Sequence, residues 1–262
     1  MPLNFLLWLS GASLCAVVLA IASALDLRSR EVPDRVWLIP APAATLLTAA
    51  QILLEPAMLV DVLISLAISA LIGVAIYFTG LMGGADAKAI AFIAISVPIY
   101  WQKPMLAFYP FVPLASFCNA ILMASLIPIA MLARNVAWRL RTGESFFEGL
   151  EAGPLTKALA LLVGYKVRVE ELSKARFLFP MEDLVAEDGS LRRKLVLFVK
   201  VGREEEVVRR LLEAAGEGAV SGFIWVSPGI PLICFIALGY VLAILLGDIL
   251  SFLIFAGLSI LL

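Results

Sequence analysis

The feature that most limits what this chain can fold into is its opening run. Residues 3–25 contain no charged side chain, and about 20 consecutive apolar residues are enough for a helix to cross a hydrocarbon core. Similar runs follow at about 36–54, 58–81, 87–100, 106–133 and 230–247. The chain is 62% hydrophobic and only 16% charged, whereas a soluble domain carries about a quarter charged residues. The expected fold class is therefore an α-helical polytopic membrane protein with about six transmembrane helices. No Lys or Arg precedes Arg28, so the first run lacks the basic start of a secretory signal and reads as a retained span.

Composition changes sharply at residue 134. Residues 134–222 hold most of the charge and read as a small, water-exposed α+β insert before the last helix. Within it, 165–169 and 195–201 have strand character, 187–190 is a turn, and 204–215 is an amphipathic helix with Val207, Val208, Leu211 and Leu212 on one face. Residues 156–163 are apolar but too few to span; they read as a strand or a buried helix. The expected organisation is thus a membrane domain at 1–133 with five spans, a soluble insert at 134–222, and a last span with an apolar tail at 223–262. Asp248, inside that tail, reads as a charge at the end of a span.

Orientation follows from the basic residues. On a six-span count Arg28, Arg30, Arg35, Lys88, Arg134, Arg139, Arg141 and the insert all fall on one side, and Lys103 alone on the other. The positive-inside rule then puts the N-terminus outside and the insert in the cytoplasm, in a cell membrane. The insert's acidic residues Glu182, Asp183, Glu187 and Asp188 are candidates to meet a basic partner there.

Histidine is absent, which removes Ser-His and Cys-His nucleophiles and imidazole-based zinc sites. Cys15, Cys118 and Cys234 lie in separate apolar runs and suggest neither a disulfide framework nor a metal cluster. No metal or cofactor is expected. A net charge of −1 gives no reason to expect a nucleic-acid partner. The low count of three Asn and two Gln points weakly to a thermophilic source.

Two carboxylates stand out. Asp26 follows the first apolar run directly. Asp86 sits in Gly83-Gly84-Ala85-Asp86-Ala87-Lys88, directly before the fourth, and is the one acidic residue between Asp61 and Glu144. Two crossings separate them, so they reach the same membrane face whatever the orientation. A carboxylate at a membrane boundary is costly unless paired, hydrated or functional. Two sharing a site can act as base and acid in hydrolysis without metal or histidine. Gly83 and Gly84 offer free turning and close approach of an extended backbone, and Lys88 offers a local positive charge or a headgroup contact. Each piece also has a plainer reading. Asp86 suits a helix N-cap, and Asp26 shares its loop with Glu31 and Asp34.

These residues resemble a known family. The run Leu25-Asp26-Leu27-Arg28-Ser29-Arg30-Glu31-Val32-Pro33-Asp34 is similar to the first aspartate region of type IV prepilin peptidases. Gly83-Gly84-Ala85-Asp86-Ala87-Lys88 resembles the second aspartate motif of these GxGD-type membrane aspartyl proteases, with Ala85 in the place of a second glycine, as in the archaeal branch. Ile224-Trp225-Val226-Ser227-Pro228-Gly229-Ile230-Pro231 looks like the entry to the last span of archaeal preflagellin peptidases. The resemblance implies catalytic Asp26 and Asp86, supported by Gly83, Gly84, Ala85 and Lys88. It also implies preflagellin (archaellin) or prepilin-like substrates, cut where a short basic leader meets a hydrophobic segment at the cytoplasmic face. The alternative reading is a small proton- or cation-coupled transporter that uses the same carboxylates.

Overall fold

A computed structural model describes residues 2–79, 83–172, 177–187, 190–197, 204–216 and 222–261. In chain order the elements are α1 (Leu3–Ser29), α2 (Arg35–Leu38), α3 (Ala41–Leu54), α4 (Leu59–Thr79), α5 (Gly84–Ser96), α6 (Val112–Ala124) and α7 (Leu126–Thr142). There follow β1 (Leu150–Glu151), α8 (Pro154–Val163), β2 (Tyr165–Arg168), β3 (Leu178–Pro180), β4 (Glu182–Glu187) and β5 (Ser190–Leu195). The chain closes with α9 (Glu204–Gly216), β6 (Phe223–Pro228), α10 (Leu232–Leu246) and α11 (Ile249–Leu261). They form two compact units, Met1–Ala124 with Pro231–Leu262, and Ser125–Ile230.

Among the described residues four helical stretches are long and apolar enough to cross a membrane: Leu3–Ser29, Arg35–Leu54, Pro56–Ile76 and Val112–Thr142. The fourth and sixth expected spans are the 13-residue α5 and the 15-residue α10. At 1.5 Å per residue they rise only about 20 Å, short of a core of about 30 Å. The fifth begins at Val112, not residue 106.

The reason α5 can be short is that it is central. It is apolar on every side, the pattern of a helix buried among others, and α1, α3, α4, α6 and α10 all pack on it. Of the C-terminal carbonyls left over by the helix itself, that of Ile95 accepts from Thr48 Oγ at 2.8 Å, and just past the helix Ser65 Oγ donates to the Pro98 carbonyl at 2.7 Å. Backbones approach closely elsewhere in this unit. A Cβ on Gly239 of α10 would overlap the Ser116 carbonyl of α6 and stand 2.8 Å from the Ala120 nitrogen. Small residues at helix contacts permit such approach.

The apolar tail is a separate helix. Gly247, at φ 102, ends α10, and Asp248 caps α11 by accepting from Ser251 N–H at 3.0 Å and Ser251 Oγ at 2.6 Å. Tyr109 donates its hydroxyl to the same carboxylate. Asp248 lies at the end of a helix, as read from the sequence, and is fully buried: a tight turn between two helices needs an internal acceptor, and Asp248 supplies it.

The second unit holds two three-stranded sheets, ordered β1-β5-β4 and β2-β6-β3. Residues 156–163 are helical, within α8. Helix α9 buries Val207 and Leu211, the face the periodicity marked. The second strand lies earlier than expected, at Ser190–Leu195, and 198–203 fall outside the described residues. Within it, strand alternation sends Arg192 to Glu151 (2.8 Å) and Arg193 to Glu182 (2.6 Å). Residues 223–228, grouped with the last span in sequence, form β6 of this unit.

Two of the insert's acidic candidates are already engaged. Glu182 is fully buried, receives Arg193 Nε and Nη2, and accepts from Trp225 N–H at 2.7 Å. Burial pushes its carboxyl above the usual range, against the pull of Arg193 and the Trp225 N–H. Asp183 pairs with Arg210 at 2.8 Å. The expectation that these two carboxylates meet a basic partner is therefore corrected, since internal arginines occupy both. Asp188 lies outside the described residues.

Candidate active site

Asp26 lies one turn from the end of α1. The helix stops at Arg30, which takes the left-handed conformation (φ 58) and donates its N–H to the Asp26 carbonyl at 3.1 Å. The helix therefore reaches beyond Asp26, and the side chain is held on its inner face, 8% exposed. Glu31 and Asp34, which share its loop, are exposed. Burial is thus what separates Asp26 from its acidic neighbours. The first turn of α10, with the Ile233 N–H, packs beside this part of α1, where Ser23 Oγ donates to the Ile233 carbonyl at 3.5 Å. Such N–H groups have no partner within their own helix and carry partial positive charge. Arg30 Nη1 stands 3.9 Å from Asp26 Oδ2, too far for a hydrogen bond. That oxygen is buried and accepts no hydrogen bond from the described residues.

Asp86 occupies the third position of α5 and is 6% exposed. Its Oδ2 accepts from the Gly83 N–H at 2.8 Å, and its own N–H donates to the Gly83 carbonyl at 3.1 Å. This reciprocal pair closes the first turn in the manner of a capping box. The N-terminal reading of Asp86 and the functional one are therefore compatible: one oxygen caps the helix, leaving the other. Both carboxylates are buried in the first unit, on α1 and α5, which pack on each other.

The glycines act through space, not conformation. Gly83 has φ −78 and ψ 161, which any residue adopts, so free turning is not what the position requires. A Cβ on Gly84 would meet nothing within 4 Å. Gly84 opens onto a groove of about 540 Å³ between α4 and α5, walled by Ser69, Gly73, Val74, Ala87, Lys88 and Ala91. Ala85 is half-buried against the helix core.

Lys88 turns away from Asp86. Its Nζ contacts Asp34 Oδ1 at 2.5 Å, joining α5 to the loop after Asp26 across 54 residues of sequence. Sequence reasoning did not find this pair, nor the Ile233 N–H. Both depend on helices that are distant in the chain, and no local pattern announces them. Among the described residues no three His, Cys, Asp or Glu side chains converge as a metal set.

The family model described as the type IV leader peptidase family matches residues 13–129, and that of the archaeal peptidase A24 C-terminus, type II, matches residues 156–249. Residues 13–129 thus match the type IV leader peptidase family. Both aspartates lie in the stretch matched by the first model. Similar curated proteins include the preflagellin peptidase of Methanococcus maripaludis, 28% identical over 258 residues, covering 91% of this chain and 96% of that one. That of Methanocaldococcus jannaschii is 25% identical over 244 residues, covering 89% and 92%. That of Methanococcus voltae is 24% identical over 249 residues, covering 88% and 92%. In a leader peptidase, a pair of buried carboxylates on two different helices is chemically suited to handle one water molecule and one amide nitrogen.

Proposed function

We propose that this chain is a membrane aspartyl endopeptidase of the leader peptidase family. It removes the short basic leader from preflagellin or prepilin-like precursors, using Asp26 and Asp86. The observation that carries the reading is that both carboxylates are buried, one on α1 and one on α5, two helices that pack on each other, in a chain similar to preflagellin peptidases. The ionised carboxyl takes a proton from water as its oxygen bonds to the scissile carbonyl carbon. The protonated carboxyl stabilises the developing oxyanion and then gives its proton to the leaving nitrogen as the C–N bond breaks. Asp86 keeps its Oδ2 on the Gly83 N–H, so its orientation is fixed before substrate arrives. The positive-inside count favours a cytoplasmic active site and an external N-terminus, which suits a cut beside a basic leader. The peptidase family match supports this reading over a transporter.

The test uses the purified chain in detergent with a precursor bearing a basic leader and a hydrophobic segment. Asp26→Asn and Asp86→Asn each abolish the shortened product, and Glu31→Gln does not. A chelator leaves cleavage unchanged, because two carboxyls suffice for the chemistry. Wild-type rates from either Asn variant overturn the assignment.

A further inference from the structure

We propose that the Lys88–Asp34 ion pair is a positioning contact for the peptidase reaction, setting the rotation of α5 and hence the aim of Asp86. The inference rests on the peptidase reading above. Its parts are on one face of α5. Lys88 and Phe92 are four residues apart and lie one above the other on a helix. Phe92 meets Trp37 of α2, with ring centroids 6.1 Å apart. Asp34 immediately precedes α2, and Trp37 is three residues on. So the two short stretches touch twice, by an apolar contact at Phe92–Trp37 and by a 2.5 Å ion pair at Lys88–Asp34.

Asp34 sits at the N-terminal position of α2 but makes no capping hydrogen bond with its side chain. The helix does not consume its carboxylate, which reaches across to Lys88 instead. Asp86 is two residues from Lys88, about 200° around the helix, and residues so spaced do not face each other. Lys88 is exposed while Asp86 is buried. The lysine therefore acts on the aspartate through the helix they share, not by its own charge. A ring contact alone fixes how closely α2 and α5 approach; a second point of attachment one turn away fixes the rotation of α5 about its own axis. Reactions of this kind respond steeply to placement, about a hundredfold for a shift of about 1 Å.

The experiment is a double-mutant cycle on the full chain in detergent, with steady-state kcat and KM for the precursor. The variants are Lys88→Gln, Asp34→Asn, both together, and the exchanged pair Lys88→Asp with Asp34→Lys. Each single change lowers kcat about tenfold and leaves KM within about twofold. The double change is no worse than the single ones, and the exchanged pair regains most of the lost kcat. Thermal midpoints stay near wild type, because exposed ion pairs add little stability. Three results overturn the proposal: losses that multiply in the double variant, an exchanged pair as poor as the singles, or midpoints that fall in step with kcat. Asp86→Asn runs beside the cycle. If it cleaves normally, the peptidase reading falls and the positioning role falls with it. If it is inert and the exchanged pair is inert too, the positioning role alone falls.

Discussion

Trp37 and Phe92 are both buried, with ring planes tilted by 53°, and this contact seats the helix that follows Asp26 on the helix that carries Asp86. Phe92 lies six residues beyond Asp86, about 9 Å along the axis. The seating of the helix that carries Asp86 thus rests in part on packing well away from that residue.

Trp37→Ala tests that dependence. Removing a buried aromatic ring costs about 3–5 kcal/mol. Thermal unfolding in detergent is expected to show a large drop, with Trp37→Phe intermediate because a ring remains against Phe92. Equal midpoints for Trp37→Ala and wild type would mean the contact does not hold the helices.

The two roles of Asp86 separate by substitution. Asp86→Asn still presents an oxygen to the Gly83 N–H, so stability stays near wild type while cleavage is lost. Asp86→Ala loses both, and the missing cap costs about 1 kcal/mol more. The comparison reads unfolding midpoints and product formation on the same samples. Matching midpoints for Asn and Ala would show that the 2.8 Å contact to Gly83 adds nothing.

In the second unit, Glu182→Ala leaves Arg193, itself only 19% exposed at its side chain, with the Phe223 carbonyl but no counter-charge, and leaves the buried Trp225 N–H unsatisfied. Breaking a buried ion pair from one side costs about 3–5 kcal/mol. Limited proteolysis of the full chain is expected to cut within 125–230 far sooner than in wild type. Glu182→Gln restores an acceptor for Trp225 and recovers part of the resistance. Unchanged proteolysis in both variants would remove Glu182 from the core of that unit.

Much of this arrangement was legible in the residues themselves. The uncharged run before Asp26 and the shift in charge at residue 134 announced a helical membrane protein with an α+β portion. Burial now distinguishes Asp26 from Glu31 and Asp34, which position alone had done only weakly. What stayed hidden is long-range. A helix of 13 residues looks like a truncated span until its neighbours are known to surround it. Ser190–Leu195 is rich in basic residues, and its strand character lies in which side chain meets Glu182 and which meets Glu151. The Lys88–Asp34 pair joins two motifs that lie 54 residues apart, and nothing in either one points to the other.

The glycines give a contrast within one chain. Gly239→Ala pushes a Cβ into the Ser116 carbonyl and against the Ala120 nitrogen. Neither is a flexible side chain that can yield, so α6 and α10 must separate, and overpacking of this kind costs about 1–3 kcal/mol or more. Gly84→Ala meets open space at the first turn of α5, where Ala is the better helix former by about 1 kcal/mol. Its midpoint is expected to match or exceed wild type. Yet the added methyl enters the groove beside the Asp86 helix, where an extended precursor backbone would approach. Cleavage is expected to fall with Gly84→Ala and further with Gly84→Val, chiefly through KM. Wild-type KM and kcat in Gly84→Val would show that the substrate passes elsewhere, and would leave this glycine without a part in catalysis.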